Sequence, residues 1–207
     1  MGLDCCAHKG KELEQLALHA SQKRVLLAVL LINAVMFVLE FGAGLIAGSA
    51  ALMADSADMF GDALVYGLSL YALSRSGRWK AGVALAKGGF ILLLCVGVLA
   101  DVVIKVGTGV PPSSTLMLIF GWLALAANLI CLRLLWRFRA QDVNMSSTFE
   151  CSRNDALSNI GVLIAAGAVA LSHSPWPDII VGVAIAIILL RSSIRVIGSA
   201  LPKLRIA

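Results

Sequence analysis

Charge is scarce in this sequence. Only 14% of its residues are Asp, Glu, Lys or Arg, 59% are hydrophobic, and the mean hydropathy is +0.91, whereas soluble domains carry about 25% charged residues. That balance excludes a soluble globular protein and points to the bilayer. Cysteine is too sparse and scattered to form a disulfide framework: Cys5 and Cys6 lie near the front, and Cys95, Cys131 and Cys151 lie in or beside apolar runs. Targeting signals are missing as well. The first apolar segment is too long for a signal-peptide h-region and reads as a retained span, and Met1-Gly2 completes no myristoylation signal because Cys6 stands where Ser or Thr is needed. The net charge of +5 is mostly topological, with some affinity for anionic membrane lipid, and it marks no nucleic-acid surface.

What is present is a series of apolar runs, each near the 20 or so residues needed to cross the hydrocarbon core. They fall at approximately 24–48, 49–74, 82–106, 114–136, 146–171 and 177–200. The expected fold is an all-α integral membrane protein of six transmembrane helices, with a flexible tail over 1–23, the membrane domain over 24–200 and a short tail over 201–207. Pro111, Pro112, Pro175 and Pro177 mark loops and helix starts. Lys9, Lys11, Lys23 and Arg24 precede the first run; Arg75, Arg78 and Lys80 follow the second; Arg133, Arg137 and Arg139 follow the fourth; and Lys203 and Arg205 follow the sixth. The alternate loops hold almost no Lys or Arg, so both termini are expected in the cytoplasm.

Inside the second run stand Asp55, Asp58 and Asp62. An acidic side chain at the bilayer centre costs roughly 2.5–3.5 kcal/mol even on the gentlest scale, so three on one segment need protein, water or a cation to offset them. At about 100° per residue they fall within roughly 60° of one another over about 10 Å of rise, forming a single acidic stripe. Such a stripe suits a divalent cation, a proton relay or a metal-bound diphosphate.

A second polar cluster opens the fifth run, Glu150-Cys151-Ser152-Arg153-Asn154-Asp155-Ala156-Leu157-Ser158-Asn159. Cys151 and Asp155 share a helix face, as Asp58 and Asp62 do, so each helix offers two donors about one turn apart. Counting from the assumed span ends, both pairs lie near the midplane, with Asp58 level with Asp155 and Asp62 level with Cys151. The segment 58–64 also echoes 151–157 in its x-x-x-Asp-Ala-Leu ending, and each lies in the second helix of a three-helix half. A midplane site at the junction of inverted repeats is the plan of many secondary transporters. Glu40, Asp101 and Asp178, nearer the span ends, read as solvated or along an ion path. Asn33, Asn128 and Asn159 read as interhelical hydrogen-bonding groups, and His173 as a polar loop residue. Cys5, Cys6 and His8 bring metal-capture chemistry to the front tail, but their spacing matches no closed zinc motif, so the tail reads first as inert and second as a metal-delivery arm.

These motifs resemble the cation diffusion facilitator family over about residues 24–200. The resemblance rests on Glu40-Phe41-Gly42-Ala43-Gly44-Leu45-Ile46-Ala47-Gly48-Ser49 closing the first run, on Asp55-Ser56-Ala57-Asp58-Met59-Phe60-Gly61-Asp62 in the second, and on Asp155-Ala-Leu-x-Asn in the fifth. It implies a homodimeric secondary transporter of a plasma membrane or bacterial inner membrane that exports cytosolic Zn²⁺, or a related divalent metal, in exchange for protons. No prosthetic group is implied. By motif the ligands would be Asp58, Asp62, Cys151 and Asp155, with Asp55 and Asn159 in supporting positions or on the approach path. Two departures stand out. Cys151 replaces the usual His or Asp, which favours Zn²⁺ or Cd²⁺ over harder ions, and the chain stops at Ala207, where most members continue into a cytoplasmic dimer-forming domain. Dimer contacts would then come from the helices or tails, where Gly42, Gly44 and Gly48 permit close approach.

The alternative is a Mg²⁺-dependent intramembrane phosphotransferase or prenyltransferase, because Asp55-x-x-Asp58-x-x-x-Asp62 superficially fits a diphosphate motif. A second Asp-rich motif, the phosphate-holding Arg or Lys cluster, and an upstream Asp-x-x-Asp-Gly-x-x-Ala-Arg are all absent. A transporter is the expected class.

Overall fold

The computed structural model describes the backbone of residues 3–71, 77–140 and 143–205, with side chains over 20–64, 67, 82, 85–86, 88–140, 149–198 and 201. Six helices follow in order: α1 (Leu3–Ala47), α2 (Ala50–Tyr71), α3 (Gly77–Thr108), α4 (Ser114–Leu135), α5 (Val143–Ser172) and α6 (Trp176–Arg205). Among the described residues there is no strand, as expected where backbone polar groups must be satisfied within each segment.

Five helices carry stretches long and apolar enough to span a bilayer, at Ala20–Ala47, Gly88–Thr108, Ser114–Leu135, Phe149–Ser172 and Trp176–Gly198. The sixth, α2, has 22 residues, about 33 Å at 1.5 Å per residue. It is long enough to cross, but every spanning stretch of it holds the three aspartates.

The tight junction between α1 and α2 sets the geometry that follows. Gly48 takes φ +60, a left-handed conformation that favours glycine. The Ser49 N–H returns to Gly44 O at 2.9 Å, while Ser49 Oγ accepts from Leu52 N at 3.1 Å to start α2. The resulting hairpin closes through matched pairs. Gly44 lies against Met53, Phe37 stacks on Phe60 with ring centroids 4.8 Å apart, and Leu30 meets Gly67.

Helix α2 is central, packing on α1, α3, α5 and α6, while α3 pairs with α6 and α4 with α5. The starts of α2, α4 and α6 meet at one end: Ser113 N donates to Ala47 O at 2.9 Å, and Asp178 of α6 reaches the first turn of α2. Helices α2 and α5 therefore run antiparallel. Buried small residues Ala47, Ala50, Ala51, Ala54 and Ala57 line the α2 contacts, whereas Ile46, Val103 and Leu171 are largely exposed. A close-packed interior with large apolar groups outside is what a lipid solvent demands.

Residues 3–23 lie within α1, in keeping with the Ala, Leu, Glu, Gln and Lys content of residues 11–23 and the lack of proline there. Two expectations are corrected. Asp178 is fully buried instead of solvated. Its carboxylate accepts from Ser49 Oγ at 2.6 Å, Ala50 N at 2.8 Å and Ala51 N at 3.0 Å, and pairs with Lys105 Nζ at 3.3 Å. It caps α2 from another helix, where the dipole and free N–H groups favour an anion. Finally, Gly44 is consumed within the chain, since a Cβ there would sit 2.8 Å from Met53 Cγ, whereas Gly42 and Gly48 each have nothing within 4 Å, Gly48 also serving the turn.

Candidate metal-transport site

The α2 stripe faces α5 because residues 55, 58 and 62 recur at helical spacing on its inner face, between the alanines that pack the core. Asp55 and Asp62 are buried, at 1% and 7% exposure, and Asp58 is half-buried. On α5, Asp155 is 4% exposed. The carboxyl groups of Asp58 and Asp155 lie within hydrogen-bonding reach of each other across the α2–α5 contact. Asp62 is the leading charged neighbour of Asp155, ahead of Asp58 and Asp55. The levels assigned by counting residues thus meet in space for Asp58 and Asp155. Because the two helices are antiparallel, Asp62 and Cys151 are each about one turn toward the end remote from Ser49.

Asp155 Oδ2 is buried with no hydrogen-bond donor among the described residues. Facing carboxyls in an apolar bundle cannot both hold unscreened charge; they need a cation or a proton between them. Oxygen donors from two helices, with a sulfur within a turn, form a donor set that a Zn²⁺-like ion accepts. Among the described residues no three His, Cys, Asp or Glu side chains close to coordinating distance, so the donors form an open set rather than a finished cage.

Cys151 is half-buried. A second thiol comes from α4: Cys131 is fully buried, accepts from Asn33 Nδ2 at 4.0 Å, and has Asp155 and Asp62 as charged neighbours. Sequence reading passed over Cys131 because nothing acidic stands near it in the chain. Asn159 departs from its expected interhelical role. It donates to its own helix at Asp155 O, 2.6 Å away, which ties it to the backbone beneath the carboxylate. Arg153 pairs with Glu150 on the exposed face of α5, away from the acids. The side chains of Cys5, Cys6 and His8 lie outside the described residues.

Glu40, expected to be solvated or along an ion path, is likewise not solvated. It is completely buried on α1, with its carboxyl within hydrogen-bonding reach of Asp55. The signal was available: Glu40 stands eight residues before Gly48 and Asp55 seven after it (48−40 and 55−48), so the hairpin brings them to one depth.

A family model described as the cation efflux transmembrane domain matches residues 26–204, nearly the whole helical region. No curated protein matches the chain.

Proposed function

We propose, because the chain belongs to the cation efflux family and so moves metal cations across a membrane, that it exports a divalent ion held between α2 and α5 by Asp58, Asp62, Asp155 and Cys151. Members of that family are transporters, so the transferase suggested by the aspartate spacing falls away. Zn²⁺ is the first cargo and Cd²⁺ the second, since one thiolate among carboxylates suits both. The observation that carries the reading is the approach of Asp58 and Asp155 from two antiparallel helices, with Asp155 Oδ2 buried and meeting no donor among the described residues.

Protons are the counter-ion, because carboxylates and a thiolate must be deprotonated to bind metal and take protons back when it leaves. The end bearing Ser49 and Asp178 faces outward and both termini face the cytoplasm. Lys23, Arg24, Arg133, Arg137 and Arg139 lie toward the other end, whereas Lys105 near Ser49 is absorbed by Asp178 and by Asp101 at 2.5 Å. Two copies assemble through their helices or tails, and no prosthetic group takes part. Alternating access comes from α2 and α5 rocking against the remaining helices.

Purified protein in vesicles should move Zn²⁺ or Cd²⁺ under a proton gradient. Asp62→Ala and Asp155→Ala should each cut the flux by at least about 100-fold without changing the elution profile. Wild-type vesicles that move neither metal would overturn the proposal.

A further inference from the structure

We infer that Glu40 and Asp55 form a proton-binding pair beside the cation site, on its Ser49 side, and that this pair carries a counter-proton of the transport cycle. The inference rests on the transport reading above and adds a second titrating station to it.

Glu40 is 0% exposed, and neither of its oxygens meets a hydrogen-bond donor among the described residues. Asp55 is 1% exposed, and its Oδ2 also has no donor. Yet the two carboxyl groups lie within hydrogen-bonding reach of each other. Two carboxylates in that position repel. One proton placed between them turns the contact into a hydrogen bond, as in paired acidic dyads.

No cation among the described residues offsets the pair, since Lys105 on α3 is engaged by Asp101 and Asp178. The charges that do reach Asp55 are Asp58 on its own helix and Asp155 on α5. Cys95 on α3 has Asp58 as its charged neighbour and bonds α6 at Ala186 O. From α6 the facing acid is Asp178, already satisfied at the start of α2.

The pair therefore senses the charge at Asp58 and Asp155. With those sites empty, Glu40 and Asp55 share one proton. When a divalent cation arrives, the field reverses and the proton leaves to solvent; when the cation departs, a proton returns. No bond other than O–H is made or broken, and the coupling is electrostatic and reciprocal.

The test counts protons. Cd²⁺ is titrated into detergent-purified protein in two buffers of different ionisation enthalpy, giving the protons released per metal bound. Glu40→Gln should release about one proton fewer than wild type, with Cd²⁺ affinity kept within about tenfold. The Gln amide can donate to Asp55 without a shared proton, so the contact survives. Asp55→Asn should give the same deficit from the other side, and Glu40→Asp should restore the wild-type count. If Glu40→Gln does not yield folded protein, Asp55→Asn decides. An unchanged proton count in a metal-binding variant overturns the pair and leaves the transport proposal standing. Failure of the wild type to bind or move metal overturns the transport proposal, and the pair with it.

Discussion

A thiolate among three carboxylates softens a donor set, so removing the sulfur should change metal preference more than it changes stability. Cys151 is only half-buried and gives up little packing when replaced. Cys151→Ser should weaken Cd²⁺ by more than about tenfold and Zn²⁺ by less, while Cys151→His should keep Zn²⁺ and lose the advantage for Cd²⁺. Competition titrations on the purified variants measure both. Cys131→Ser is the necessary partner experiment, because Cys131 lies among the charges of Asp155 and Asp62. If that variant alone loses Cd²⁺, the sulfur comes from α4. At this scale Asp58 and Asp155 were legible from depth counting along two helices. Depth counting missed Glu40 and Asp178, because distance from a span end says how deep a side chain lies and nothing about which helix covers it; for Glu40 the usable signal was its matched spacing with Asp55 about Gly48. Asp178 found its partners 127–129 residues away, at the start of α2.

Elements were far more legible than partners. Runs of about 20 apolar residues bounded by basic loops specify helices almost regardless of tertiary context, and the expected runs at 82–106 and 114–136 fall on α3 and α4. Contacts between helices depend on single small residues that no periodicity reveals. Gly182 of α6 is the clearest: a Cβ there would lie 2.7 Å from Ala50 C, 2.9 Å from Ala50 Cβ and 2.9 Å from Ala51 N, so two backbones would have to part. The same junction holds the Asp178 cap. Gly182→Ala should therefore destabilise the protein by about 1–3 kcal/mol as an overpacked contact, read as a lower melting temperature in detergent. Gly97→Ala, with nothing within 4 Å of its added Cβ, should be neutral or gain up to about 1 kcal/mol from helix propensity. Equal effects at the two sites would show that α6 does not seat on α2 through Gly182.

For the whole molecule, the proposed proton exchange at the α2–α5 donors would make the pH response depend on which side is acidified. On that proposal loading requires the carboxylates of Asp58, Asp62 and Asp155 and a thiolate to be free of protons, so acid on the loading face competes with metal and slows uptake. On the release face the same acid protonates the emptying site and speeds the return of the carrier. A simple facilitated pore through the bundle would give no such opposition, since acid on either face would only protonate ligands and reduce flux. In oriented vesicles with Zn²⁺ on the face carrying the chain termini, lowering the pH of that face by one unit should slow initial flux several-fold, up to about tenfold per proton exchanged. Lowering the opposite face by the same amount should raise it until another step limits. A Zn²⁺-sensitive dye inside the vesicles follows both arms. Slowing in both arms would sink proton antiport while leaving metal transport intact. In Glu40→Gln the contrast between the arms should narrow, because one of the titrating stations that generates it has been removed.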